Sequence, residues 1–82
     1  MFDRARMQQM IGDILRELDV DYRPASLFEP RDRRATWCVD FIDEAAPQFE
    51  RTFQVCVEWG EGSTEESVRA ELKAKLAARI GA

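Results

Sequence analysis

An α+β fold of order α-β-β-β-α follows from three features of the sequence. Trp37-Val39-Phe41 and Phe53-Val55-Val57-Trp59 alternate strictly with other residues, the period of a strand with one buried face. Met7, Met10, Ile11, Ile14, Leu15 and Leu18 recur at helical spacing before them. Val68, Leu72, Leu76 and Ile80 do so after them. A three-stranded antiparallel meander has one apolar face, and two amphipathic helices packed on that face are enough to cover it. A chain of 82 residues has surface for one core, so a single domain over 1–82 is expected.

The first helix is expected from about Phe2 to Leu18, with Asp3 capping its start. Gly12 lies off the apolar stripe and costs about 1 kcal/mol against alanine. Val20 to Glu29 reads as the first strand. Pro24 lacks an N–H for the ladder, which puts that strand at an edge. Glu29 to Arg34 is a turn. The second strand runs from about Ala35 to Ile42 and the third from Arg51 to Trp59, joined by a long hairpin loop. A loop centred on Pro47 pairs Phe41 with Phe53, Val39 with Val55 and Cys38 with Cys56, although same-face pairing permits shifts by two, so that Cys38 faces Gln54, Cys56 or Glu58. Ser63-Thr64-Glu65-Glu66 has the form of a capping box, with Ser63 as the cap and Glu66 reaching back. The last helix then runs to about Ile80, and Gly81 is placed to end it.

Composition excludes several classes of function. Histidine is absent, which removes His-based acid–base catalysis, His-activated nucleophiles and His-liganded metals. Two cysteines cannot build a four-thiolate zinc site. Gly60-Glu61-Gly62-Ser63 is too short and too acidic for a phosphate loop. No nucleophile–base–orienter set can be drawn, so no enzyme, no cofactor and no metal site are expected. No apolar run approaches the ~18–20 residues that span a bilayer. The charged N-terminal stretch lacks the apolar segment of a signal peptide, and a cytoplasmic location without membrane association is expected. Trp37, Trp59, Met7 and Met10 lie in phase with the core faces and read as packing residues.

The net charge of −4 is unevenly spread. Between Asp40 and Glu66, eight carboxylates face Arg51 alone, a net −7 that leaves the rest of the chain at +3. In a meander the loops sort to two ends. Arg31, Arg33 and Arg34 meet Glu61, Glu65 and Glu66 at one end, where local salt bridging is expected. Asp19, Asp21, Asp43, Glu44 and Glu50 gather at the other, opposed by Arg23 and Arg51. An acidic end assembled by the fold is a docking surface for a basic partner steered by charge, or else simply a solvated loop end.

The open face of the sheet carries Thr36, Cys38, Asp40 and Ile42 beside Thr52, Gln54, Cys56 and Glu58. Side-chain parity makes a Cys38–Cys56 cross-strand disulfide geometrically conceivable. In a cytosolic protein two free thiols are expected instead. Without a Cys-X-X-Cys pair or a thiolate-stabilising neighbour, catalytic redox chemistry is not expected. Cys38, Ile42, Thr52 and Cys56 form an alternative interface for a homodimer or an accessory subunit, so monomer and homodimer both stay open.

The element order is similar to that of the double-stranded-RNA-binding domain, with Gly60-Glu61-Gly62-Ser63-Thr64-Glu65-Glu66 opening the last helix in the manner of that family. The resemblance implies nucleic-acid contact through Arg31, Arg33 and Arg34. Glu65 and Glu66 stand where the family carries phosphate-gripping lysines, and this reversed charge repels phosphate. In size and acidity the chain also resembles the small inhibitors of phages and mobile elements, including anti-CRISPR proteins. That resemblance implies a non-enzymatic inhibitor. Its carboxylates would occupy a basic nucleic-acid channel on a protein partner, and no site residues carry over from it.

Overall fold

The structure, a computed structural model, describes residues 3–30, 35–47 and 50–80. Helix α1 spans Arg4–Leu18. It is followed by strands β1 (Tyr22–Phe28), β2 (Thr36–Asp43) and β3 (Thr52–Glu58), and then by helix α2 (Glu65–Ile80). The strands form one antiparallel sheet of order β1-β2-β3, which is the expected α-β-β-β-α meander. Arg31, Arg33 and Arg34, together with Phe2 and Gly81, lie outside the described residues.

Of the registers that alternation permits, β2–β3 has the one expected from a loop centred on Pro47: Phe41 opposes Phe53, Val39 opposes Val55 and Cys38 opposes Cys56. A one-residue slip would turn Trp37, Val39 and Phe41 out to solvent, so the apolar face holds the register. β1 is an edge strand, as Pro24 implies, and it carries a bulge. Pro24 opposes Phe41 and Ser26 opposes Asp40, which leaves Ala25 as the extra residue. The bulge resets the phase of the strand. It is what lets Tyr22, Pro24 and Leu27, which are not two apart throughout, share the core side.

Among the described residues, twelve buried ones make the core: Met7, Met10, Ile11 and Ile14 from α1; Trp37, Val39 and Phe41 from β2; Val55 and Val57 from β3; Val68, Leu72 and Leu76 from α2. Leu15, Leu18, Tyr22, Leu27, Phe53 and Trp59 pack around them. Phe41 stacks on Phe53 at 5.4 Å between centroids, and Tyr22 meets Phe53 edge-on at 5.0 Å. Ile80 departs from the expected stripe: it is 45% exposed, because the helix continues past the residues that bury Leu76.

Both helix starts are capped by side chains. Asp3 accepts from the Arg6 N–H at 3.0 Å, as expected. At α2 the box sits one residue later than Ser63–Glu66. Thr64 Oγ1 accepts from the Ser67 N–H, and Ser67 Oγ accepts from the Thr64 N–H. Ser63 is committed elsewhere: its hydroxyl accepts from the Gly60 N–H and its own N–H donates to the Gly60 carbonyl, closing the turn that precedes the helix. Gly62 supplies the positive φ of 84° in that turn.

Gly12 is half-buried on α1, and a Cβ there would meet nothing closer than the Arg16 guanidinium at 4.0 Å. No close backbone approach requires the glycine. Gly12→Ala is therefore expected to stabilise the protein by about 1 kcal/mol, read as a higher urea midpoint with an unchanged slope.

Candidate functional site

The exit of α1 and the β2–β3 hairpin are joined by backbone hydrogen bonds. Asp19 ends α1 in the left-handed region at φ 52°, a conformation aspartate tolerates, and its N–H donates to the Arg16 carbonyl. Two residues on, the Asp21 carbonyl accepts from the Glu44 N–H at 3.2 Å, and Tyr22 opposes Asp43 in the sheet. Asp21, Asp43 and Glu44 are thus brought side by side, with Asp19 just upstream. Glu50 stands at the far side of the same loop, next to Arg51, whose carbonyl accepts from the Asp43 N–H.

Local bonding holds this end in shape. Asp43 Oδ1 accepts from the Ala45 N–H at 3.1 Å, an Asx turn that sets the loop conformation. Glu44 pairs with Arg23 at 3.1 Å across the β1–β2 edge. Arg51 Nε donates to the Ala46 carbonyl at 3.4 Å. Arg79 of α2 lies over the Phe53 ring, 3.9 Å from its centroid, and donates to the Glu50 carbonyl at 3.2 Å. Asp43 and Glu44 therefore help to build the end. Among the described residues, no hydrogen bond or ion pair holds the carboxylates of Asp19, Asp21 and Glu50.

The basic side chains follow the opposite pattern. Arg6 pairs with Glu65 across the two helices. Arg69 reaches both Asp13 and Glu17, and Lys73 holds Glu17 at 3.1 Å. Arg16 pairs with Asp13 and Lys75 with Glu71. This ladder between α1 and α2 consumes Glu65, one of the three acids expected to meet the arginines of the β1–β2 turn. Its sequence signal is a pair of i,i+4 spacings: Asp13 with Glu17 on one helix, Arg69 with Lys73 on the other.

The ladder shifts its acids. Hydrogen bonds from Lys73 and then Arg69 hold Glu17 below the usual carboxylate range, and the Arg6 hydrogen bond does the same for Glu65. The same Glu65 contact raises Arg6. Glu17 and Glu65 therefore bind protons more weakly in the folded chain than in the unfolded one. The stability they contribute is present above the ordinary glutamate value and is lost as pH falls through the lowered values. Acidifying from about pH 6 to about pH 3, across the ordinary value of about 4.3, should lower the melting temperature. The fall should be smaller in Glu17→Gln/Glu65→Gln, as thermal melts of both proteins will show.

Basic side chains also guard the sheet edges. Arg4 donates to the Leu27 carbonyl on the β1 edge at 3.0 Å, and Lys75 Nζ to the Cys56 carbonyl on the β3 edge at 2.6 Å. With Pro24 and the bulge on β1, both edges are poor templates for strand addition.

The open face brings Cys38, Ile42, Thr52 and Cys56 together as expected, with Asp40 accepting from Gln54 Nε2 at 2.9 Å. Two features depart from the expectation. The cysteines are joined in a disulfide, where two free thiols were expected from a cytosolic reading. The register places their Cα atoms 4.1 Å apart, a pairing close enough for the bond to form. Phe28, opposite Cys38, lies 47% exposed on this face. The bulge puts it there by reversing the phase of β1, which is why its exposure is hard to read from sequence.

Among the described residues there is no cluster of three or more Cys, Asp or Glu side chains fit to hold a metal ion. No described helix is long and apolar enough to cross a membrane. The chain matches no protein-family model, no curated protein and no solved structure.

Proposed function

We propose that this is a non-enzymatic acidic binding protein that docks a basic, nucleic-acid-binding protein through the end formed by the α1 exit and the β2–β3 loop. In its sharpest form the protein is an inhibitor of the anti-CRISPR type, whose carboxylates take the place of phosphates in the partner's nucleic-acid path. One observation carries the reading. Every arginine and lysine among the described residues is bonded within the fold, whereas Asp19, Asp21 and Glu50 keep free carboxylates beside Asp43 and Glu44 at one end, as Glu58, Glu61 and Glu66 do elsewhere. Asp43 and Glu44 pre-form the loop, so little ordering entropy is lost on docking. A surface with clustered anions, whose cations are held in ion pairs or, like Arg51 and Arg79, against backbone carbonyls, favours basic partners and repels nucleic acid itself.

A competition experiment tests this reading. A partner captured on the immobilised protein at low salt should be released by single- or double-stranded nucleic acid. Retention of the partner at saturating nucleic acid would rule out a shared site.

A second reading uses the open sheet face, with Phe28, Ile42 and the cysteines, as a contact between two copies of the chain. Its support is the exposure of Phe28. Strand spacing and rise give a three-stranded, seven-residue face a flat area of roughly 350 Å². A standard interface buries about 800 Å² per partner. The face alone is small for a stable dimer, and light scattering that stays monomeric as concentration rises would set this reading aside.

A further inference from the structure

We infer that Cys38–Cys56 is a thiol–disulfide exchange site, a staple between β2 and β3 that a dithiol reductant opens while the fold persists. Three observations carry this, none of which depends on the docking surface. First, neither cysteine belongs to the buried core, which holds the β2–β3 register from the other side of the sheet. Losing the bond removes no core contact. Second, the pair lies half-buried on the face that no helix covers, with the exposed Phe28 as its neighbour on β1. A reductant can therefore reach the sulfurs. Third, the Cys56 carbonyl is turned away from β2 and held by Lys75, and the Cα atoms stand 4.1 Å apart. This is the closer, non-hydrogen-bonded kind of cross-strand pair, so the two thiols stay adjacent after reduction and can re-form the bond.

The exchange balances with a small dithiol as reductant. Its thiolate attacks one cysteine sulfur, the S–S bond breaks, and the other cysteine leaves as a thiolate. The second thiolate of the reductant then attacks the mixed disulfide. Two electrons pass to the protein, which ends with two thiols after taking up two protons, and the reductant becomes a cyclic disulfide. The bond closes a loop of sequence separation 18 containing Asp43, Glu44 and Glu50, so oxidation constrains the hairpin in the unfolded chain.

The test uses the full chain purified without reductant and oxidised with diamide. Iodoacetamide should add no groups before dithiothreitol and two groups after it, by intact mass. Reduction should preserve the far-ultraviolet circular dichroism and lower the melting temperature by roughly 10–20 °C. Cys38→Ser/Cys56→Ser should melt like the reduced wild type and ignore dithiothreitol. Alkylation of the diamide-treated protein without reductant overturns the inference. So does an unchanged melting temperature, and so does loss of the native spectrum on reduction or in the double variant.

Discussion

Replacing Phe41 with alanine is expected to remove a large share of the protein's stability. Phe41 is fully buried on the central strand, stacks on Phe53 and sits among residues from both helices and all three strands. Emptying such a site costs about 3–5 kcal/mol in lost transfer energy and residual cavity. A domain of this size has only about 4–12 kcal/mol in total. Ile80→Ala provides the contrast. Ile80 carries the same helical spacing as Leu72 and Leu76 but is 45% exposed, so its truncation should change stability by less than about 1 kcal/mol. Urea titrations of the two variants measure both numbers. Equal losses would mean that Ile80 is packed as Leu72 and Leu76 are, contrary to its exposure.

The second large effect concerns binding. Asp21→Lys/Glu50→Lys reverses two carboxylates that make no hydrogen bond or ion pair among the described residues. Folding should be nearly unaffected, since exposed charges away from caps and ion pairs change stability by about 0.5 kcal/mol or less. Affinity for a basic partner should fall by at least about tenfold at low ionic strength, mainly through a slower association rate. The two proteins should converge as salt shortens the screening length from about 10 Å at 0.1 M to about 3 Å at 1 M. Asp43→Lys and Glu44→Lys are poorer probes. They would also break the Asx turn and the Arg23 pair, so lost binding would not separate charge from shape.

How much of this was legible depends on the physics of each element. β2 and β3 were readable because their faces differ at every position and parity allows few registers. β1 was readable as an edge strand from Pro24, but which of its residues face the core was not, because Ala25 bulges and breaks the period. The α2 cap was displaced by one residue because Ser63 and Thr64 are both good caps. The choice between them falls to the Gly60 turn, which claims the Ser63 hydroxyl. The adjacency of Cys38 and Cys56 was legible from side-chain parity, but their bonding was not, since pairing geometry and redox environment are separate quantities. The acidic end could be drawn from loop order alone. Which of its acids are structural and which are free needed the hydrogen bonds of Asp43 and Glu44.

The most direct measurement is a parallel capture from cell lysate at low salt, with wild-type protein and Asp21→Lys/Glu50→Lys as baits, read by quantitative mass spectrometry. The account predicts a stoichiometric, basic, nucleic-acid-binding protein on the wild-type bait that is depleted on the variant and lost at high salt. Equal recovery of that protein on both baits, or its retention at high salt, would contradict the acidic end as the docking surface.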